Sequence, residues 1–157
     1  MPLEIPERDH CPFCENLEGA VDADGSAVKR CAFITRQGLA AAFVNPYQSR
    51  QGATLVVPTR HAPTVLDLTE PEAEALARLV RRIARAIHDA FDVVGLNIFQ
   101  NNGVASGQTI PHYHVHVMPR YPGEQPDELF GRRAVLVPFA ERVRLARTIS
   151  EHLPPVG

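Results

Sequence analysis

Three histidines alternate with aromatic and apolar residues in one short segment of the chain. His112, His114 and His116 are separated by Tyr113 and Val115. A β-strand turns successive side chains to opposite faces, so a strand here would place the three imidazoles on one face and their neighbours in the core. Neutral imidazole is nucleophilic near neutral pH, and adjacent imidazoles can donate protons to a developing charge. Three of the seven histidines lie within five positions, which favours a chemical role over a solvent-facing polar strand.

A zinc site built from all three histidines is a second interpretation of this segment. His112 and His116 would be about 13 Å apart on a straight strand, at roughly 3.3 Å per residue. Since Zn–N bonds are about 2.0–2.1 Å long, all three rings would reach one ion only if the strand bent, although one or two could bind metal. Residues 103–109, just before the histidines, are rich in Gly, Ser, Gln and Thr. Their donors could hold phosphate oxygens, so we favour chemistry on a phosphate.

The segment 107–120, which contains the histidines, resembles the signature of the histidine triad (HIT) superfamily. The core of that signature is His-apolar-His-apolar-His followed by two apolar residues. Residues 42–46, 52–58 and 60–61 resemble the earlier strand pair of the family, so the likeness extends over most of the chain. The residues around Gln108 and after Val117 look closer to the fragile-histidine-triad branch than to the nucleoside-phosphoramidase branch.

This resemblance implies a nucleotide hydrolase or transferase that forms a covalent nucleotidyl-histidine. The bond cleaved would be a nucleoside phosphate linkage in a dinucleoside polyphosphate, a nucleoside phosphoramidate or an acyl-adenylate. The implied catalytic residues are His114 as nucleophile, His116 as hydrogen-bonding partner of the phosphate or leaving group, and Thr109. The implied substrate contacts are made by Asn45, Asn101, Gln108, Thr109 and His116. In one departure, Ala53 follows Gly52 where the family usually has His, which puts in doubt a contact near the substrate but not the nucleophile.

A second motif, Cys11-Pro12-Phe13-Cys14, lies near the N-terminus. It could be a redox pair, two unused thiols or half of a tetrahedral zinc site. A redox pair is disfavoured because no buried strand precedes it. Family members with such a pair are similar in recruiting two histidines, which correspond here to His61 and His112. The resemblance thus implies structural Zn²⁺ on Cys11, Cys14, His61 and His112, pinning the N-terminus to the histidine segment, with His10 as a less suitable rival.

The elements that must position these residues follow from hydrophobic periodicity and turn residues. Apolar runs predict strands at residues 31–35, 39–44, 53–57, 95–100 and 113–118. A helix over residues 70–91 is predicted from the capping box of Thr69 and Glu72 and from an apolar stripe at helical spacing. A second amphipathic helix is predicted between about 138 and 152. The expected fold is α+β: an antiparallel sheet of the HIT type with one long helix and a C-terminal helix.

Length and composition fit one soluble domain. We expect a single HIT domain over residues 1–157, with an N-terminal extension (1–30), a core (31–120), and a loop followed by the C-terminal helix (121–157). The net charge of −2 and the pI near 6.4 argue against nucleic-acid and membrane partners. Three cysteines form no disulfide framework, which predicts a cytoplasmic protein.

The resemblance further implies a homodimer that pairs through the long helix and a sheet edge, with a nucleotide as the small-molecule substrate and no organic cofactor. Two other functions are alternatives to the enzyme. One is a nucleotide-binding module with little turnover, and the other is a zinc-stabilised interaction protein.

Overall fold

The computed structural model describes residues 1–19, 30–129 and 133–156. The predicted N-terminal extension and the predicted loop after residue 120 therefore lie partly outside the described residues. The helices are α1 (Pro12–Glu18), α2 (Glu70–Ala90) and α3 (Phe139–Glu151). The strands are β1 (Ala32–Gln37), β2 (Ala40–Val44), β3 (Tyr47–Gln48), β4 (Thr54–Pro58), β5 (Gly95–Phe99), β6 (Val115–Arg120) and β7 (Val135–Leu136).

Five strands form an antiparallel sheet in the order β1-β2-β4-β6-β5, and β3 pairs with β7 in a separate two-stranded ribbon. Helices α2 and α3 pack on the same side of this sheet. The architecture is α+β with one long helix and a C-terminal helix, which confirms the predicted fold class. Among the described residues, no helix is both long enough and apolar enough to cross a bilayer.

The central strands are covered on both faces. In β2, the alternating residues Ala42 and Val44 join the core beneath α2, whereas Phe43 joins a second cluster on the opposite face. That second cluster contains Phe13 and Leu17 of α1. Burial on both faces explains why β2 and β4 are continuous apolar runs rather than alternating ones.

The long helix begins and ends almost where the sequence predicts. The Thr69 hydroxyl accepts from the backbone of Glu72, and the Glu72 carboxylate accepts from the backbone of Thr69, so the capping box is present. The C-terminal helix likewise begins directly after Pro138. In contrast, α1, β3 and β7 are too short to have been recognised from periodicity.

The histidine segment departs from the prediction at its start. Regular pairing begins only at Val115, two residues later than expected, and continues to Arg120. The backbone before it is used elsewhere: the Tyr113 N–H donates to the Ala62 carbonyl at 2.6 Å, and the His112 N–H donates to Ile110 at 2.8 Å. The first two histidines therefore lie in the loop that leads into the strand, held by loop contacts.

Candidate active site and metal centre

The ring of His114 is held in one orientation by the backbone. Its Nδ1 lies 2.7 Å from the carbonyl oxygen of His112. Because a carbonyl only accepts, Nδ1 carries the proton and Nε2 keeps its lone pair. The side chain is buried, and this burial lowers its pKa despite the opposing effect of the hydrogen bond. His114 is therefore a neutral imidazole with a fixed tautomer, which is the form needed for a nucleophile.

His116 lies beside it on the same face. Its ring stacks on Phe99 with centroids 4.6 Å apart and 7° between the planes, and its centroid is 5.0 Å from that of His114. Burial, followed by the proximity of His114, lowers the pKa of His116 to about 4. The two imidazoles are therefore both uncharged at neutral pH and can approach each other without repulsion.

A cleft with two lobes opens over these two rings. The apolar lobe, of about 450 Å³, extends toward α1 and is bounded by Phe13, Leu55 and Ile110 among others. The polar lobe, of about 280 Å³, extends toward Asn101 and Ser49. Five residues line both lobes, and these are Asn45, Tyr47, Thr109, His114 and His116. A phosphate at the junction would thus face both histidines, with one substituent in each lobe.

Most of the predicted substrate contacts lie in this cleft. Asn45 and Thr109 are at the junction, and Asn101 lines the polar lobe. The side chain of Gln108 is not brought there: it is buried, accepts from the Gly103 N–H at 2.6 Å and donates to the Pro63 carbonyl at 2.7 Å. Gln108 braces the loop that precedes the histidines.

The atypical Ala53 lies away from the cleft lining. Its side chain is buried, and its backbone N–H and carbonyl are both hydrogen-bonded to the amide of Gln48. The preceding Gly52 has φ +85°, and an added Cβ would lie 3.0 Å from the ring of Phe91. Close packing at this turn explains the glycine.

The second predicted cluster is present as well. One ligand atom from each of Cys11, Cys14, His61 and His112 lies within 4.8 Å of the others. The Cys11 sulfur is 3.4 Å from His112 Nδ1, and the Cys14 sulfur is 3.3 Å from His61 Nδ1. Two thiolates and two imidazoles are a donor set that binds Zn²⁺ tetrahedrally. The group could hold a metal ion.

Local structure arranges these four ligands. Cys11 is the N-cap of α1 and Cys14 lies in its first turn, so the C-x-x-C spacing brings both sulfurs to one end of a helix. His112 Nε2 lies 3.0 Å from the Pro58 carbonyl, which fixes the proton on Nε2 and leaves Nδ1 facing the sulfurs. Burial is the main cause that raises the pKa of Cys14 to about 12 without a cation. A bound metal would deprotonate it.

Sequence reasoning missed several residues of the cleft, and three of them bear on the site. Phe13, inside the cysteine motif, packs edge-on against His114 with centroids 5.5 Å apart. Tyr47 lies in the ribbon of β3 and β7, which the sequence analysis does not predict. Arg8 also lines the apolar lobe. Only Phe13 had a signal, its position between two predicted ligands.

Comparisons with known proteins agree with this geometry. The family model described as "HIT domain" matches residues 26–123. The chain belongs to the HIT domain family. Protein hit of Bacillus subtilis (strain 168) is 35% identical over 113 residues, covering 72% of each protein. The bis(5'-nucleosyl)-tetraphosphatase (asymmetrical) of Schizosaccharomyces pombe is 42% identical over 85 residues, or 54% of this chain and 47% of that protein.

Solved structures extend the likeness beyond the residues matched to the HIT domain. The crystal structure of a zinc-bound histidine triad family protein from Mycobacterium smegmatis has a TM-score of 0.72 and 28% identity. It covers 90% of this chain and 91% of that one. The chain is thus a HIT protein, of a family of nucleotide hydrolases and transferases, whose predicted histidine motif lies in a two-lobed cleft.

Proposed function

We propose that this HIT protein hydrolyses or transfers a nucleotidyl group through a covalent intermediate on His114. The observation that carries the proposal is the hydrogen bond from His114 Nδ1 to the His112 carbonyl. It leaves Nε2 unprotonated in a buried position on the cleft wall, beside a second neutral imidazole. A neutral nucleophile avoids the charge repulsion that a carboxylate or thiolate would meet from a phosphate.

In the first step, His114 Nε2 donates its lone pair to the α-phosphorus of the nucleotide. A bond forms between that nitrogen and phosphorus while the bond from phosphorus to the leaving group breaks, and the leaving group departs with the electron pair. The imidazole then carries the charge, and its Nδ1–H remains bonded to the His112 carbonyl, which stabilises it. In the second step, a water oxygen forms a bond to phosphorus and the water gives up a proton to solvent. The nitrogen–phosphorus bond breaks, and its electron pair returns to Nε2, which restores neutral His114.

The remaining residues of the junction have complementary roles. His116 hydrogen-bonds a phosphate oxygen or the leaving atom, and the Thr109 hydroxyl donates to the phosphoryl group. Asn101 reaches the leaving-group side, because it lines the polar lobe. Asn45, at the end of β2, contacts the ribose, and the apolar lobe takes the base. Phosphoryl transfer needs mainly such positioning and charge stabilisation.

The substrate class we propose is a nucleoside phosphate linkage, of the dinucleoside polyphosphate, phosphoramidate or acyl-adenylate kind. The two lobes support a substrate with a substituent on each side of the scissile phosphorus. The similarity to the S. pombe tetraphosphatase favours the polyphosphate.

We also propose that Cys11, Cys14, His61 and His112 bind structural Zn²⁺. The spacing of the four donor atoms and the tautomer of His112 support this assignment. When bound, the ion would cross-link the N-terminal residues to the histidine segment. None of the three cysteines forms a disulfide, which fits a reducing compartment such as the cytoplasm.

A homodimer is the proposed assembly. Strand β5 lies at the edge of the sheet, and its Ile98 is half exposed. Edge-to-edge pairing with a second copy would satisfy the open hydrogen-bonding groups of β5 and extend the sheet. Light scattering after size-exclusion chromatography gives the mass: a dimer is expected, and a monomer at micromolar concentration would contradict it.

The central experiment traps the intermediate. The protein is mixed with diadenosine tetraphosphate or with adenosine phosphoramidate, quenched within the first turnover, and digested for mass spectrometry. An adenylyl adduct is expected on the peptide that carries His114, and none on the His114→Asn variant. His88→Asn, which changes an exposed histidine of α2, is the matched control and should retain the adduct.

The alternatives predict different results in the same assay. Binding of adenosine monophosphate without turnover of either compound would support the nucleotide-binding module. Failure to bind any nucleotide would instead support the other alternative, a zinc-stabilised interaction protein. An adduct on a histidine other than His114 would contradict the assignment of the nucleophile while retaining the enzyme.

A further inference from the structure

The first ten residues contribute to the cleft as well as leading into the metal centre. The Glu4 carbonyl accepts from the Val104 N–H at 2.8 Å, which attaches this segment to the loop before the histidines. Gly103, next to that contact, has φ +87°, and an added Cβ would lie 3.1 Å from the Glu4 carbonyl. The N-terminal segment is thus packed closely against the loop that would hold phosphate.

Arg8 is the residue of this segment that reaches the cleft. Its Nε donates to the Thr109 carbonyl at 3.0 Å, and its side chain lines the apolar lobe. Thr109 is one of the five residues shared by both lobes, together with His114 and His116. The guanidinium is therefore held next to the junction on the side of the apolar lobe, where the nucleoside is proposed to bind. Three residues further on, Cys11 belongs to the proposed zinc site, so the backbone of Arg8 is held at both ends.

The charge of Arg8 sets it apart within the cleft. Among the described residues that line the two lobes, it alone is an arginine, lysine, aspartate or glutamate. The bond through Nε engages one of its five N–H donors, and within the described residues the two terminal nitrogens have no acceptor. A guanidinium offers two parallel N–H donors that match a phosphate edge.

We propose that Arg8 binds the scissile phosphoryl group of the nucleotide and so makes the cleft select nucleotides over nucleosides. The inference rests on the proposed function, since it assigns a contact within that same site. Because Arg8 lines the apolar lobe and not the polar lobe, its contact is with the phosphoryl group attached to the bound nucleoside. The leaving group beyond the phosphorus lies on the other side.

The test compares two ligands that differ only in the phosphate. Calorimetry measures the affinities of adenosine and adenosine monophosphate for the native protein and for Arg8→Gln. Since the guanidinium is exposed and its pairing is screened by solvent, we expect the affinity for the monophosphate to fall about fivefold to tenfold. The affinity for adenosine should stay within about twofold, and Arg8→Lys should recover part of the loss.

Two controls separate this contact from effects on folding and on general charge. Bound metal and Tm are measured on every variant, and both should match the native protein. Arg78→Gln removes the same charge from an exposed position on α2 and should leave both affinities unchanged. Added salt should narrow the difference between the two ligands for the native protein but not for Arg8→Gln.

Each other outcome overturns the proposal. An equal loss for both ligands would show that Arg8 acts on the nucleoside or through the packing of the N-terminal segment. No loss for either would show that the guanidinium does not contact the phosphoryl group. If the native protein binds neither ligand, the proposed function fails together with this inference, whereas the first two results refute the role of Arg8 alone.

Discussion

His112 and His114 are two positions apart and both are buried, but their rings are fixed in opposite tautomers. The Pro58 carbonyl holds the proton on Nε2 of His112, which turns Nδ1 toward the two cysteine sulfurs. The His112 carbonyl holds the proton on Nδ1 of His114, which leaves Nε2 for the cleft. Which nitrogen carries a lone pair depends on where the nearest backbone carbonyl lies. Identical side chains on one segment thus acquire different chemistry.

Phe13 connects the two histidines physically. Its ring packs edge-on against both of them, with centroids 5.7 Å from His112 and 5.5 Å from His114. Phe13 lies between the two cysteines in sequence, so the helix turn that holds the metal ligands also carries a side chain that packs against the nucleophile. The division of labour between the two histidines is therefore chemical, whereas their packing is shared.

The largest effect is expected at the nucleophile. His114→Asn should lower turnover of a dinucleoside polyphosphate by at least about 10³-fold, because no other group replaces its lone pair. Bound metal should be unchanged, since the ring of His112 is held by the Pro58 carbonyl and not by the side chain of His114. Steady-state kinetics and metal analysis of the same preparation check both statements. A comparable loss of metal would show that the two histidines are not separable.

Substitution of a proposed zinc ligand should show the reverse pattern, with its larger effect on bound metal and on stability. Cys14→Ser should reduce bound zinc below half an equivalent and lower the free energy of unfolding by about 3 kcal/mol, or Tm by roughly 6–12 °C. His112→Asn should do the same, so this triad histidine affects the fold before the chemistry. Chelation of the native protein should reproduce the loss.

Cys31→Ser is the matched control for Cys14→Ser. Cys31 packs beside Phe33 on the α1 side of the sheet and is not one of the four clustered ligands. The substitution should retain the metal. If Cys14→Ser keeps a full equivalent of zinc, the proposed ligand set is wrong.

How far the sequence alone predicts this molecule depends on the type of signal. The capping box of Thr69 and Glu72 and the apolar runs are local, so the long helix was predicted to within one residue and the five strands of the main sheet to within two. The pairing of Cys11 and Cys14 with His61 and His112 came from family resemblance, because contacts that span 98 residues have no local signal. The tautomers of His112 and His114 depend on the positions of two backbone carbonyls, and those positions cannot be read from residue types.

Gln108 and Arg8 illustrate the same limit from opposite directions. The family resemblance predicts that Gln108 contacts substrate, which stays a prediction. In the structure its amide accepts from the Gly103 N–H of the same loop and donates to the Pro63 carbonyl. Arg8 had no motif, and only the attachment of the N-terminal segment brings it to the cleft. Side-chain orientation in loops follows from tertiary contacts, which a pattern of residue types does not specify.

The pH dependence of activity provides the next comparison, with an expected change of less than tenfold. Burial lowers the pKa of both cleft histidines, that of His116 to about 4. A lowered pKa keeps more of each imidazole neutral at pH 5.5, so kcat/KM should fall by less than tenfold between pH 7.5 and pH 5.5. An unshifted histidine with a pKa near 6.5 would give a loss of about tenfold. Bound metal must be measured at each pH, because protons compete for its ligands.

The smallest effect is expected at an ion pair that lies outside the metal cluster, next to the proposed zinc ligand His61. The neighbouring Arg60 makes two hydrogen bonds of 2.7 Å to the Glu72 carboxylate. The bond from Arg60 is the largest cause that lowers the pKa of Glu72 to about 2. A lowered carboxyl pKa stabilises the fold above the unfolded value near 4.5, and that stabilisation is lost as pH falls toward 2.

Glu72→Gln should therefore destabilise the protein at pH 7 by about 1 kcal/mol, a discounted figure because solvent screens the half-exposed Arg60. Denaturant unfolding with chelator present measures the difference without a contribution from metal release. The gap between native protein and variant should narrow as pH falls from 4.5 to 2, whereas the exposed Glu74→Gln should open little gap at any pH. A gap that stays constant with pH would assign the effect to capping geometry and not to the ion pair. The ion pair of Arg60 and Glu72 supports the segment of the proposed zinc ligand His61 and not the nucleophile. We therefore expect kcat at saturating substrate to be unaffected in Glu72→Gln.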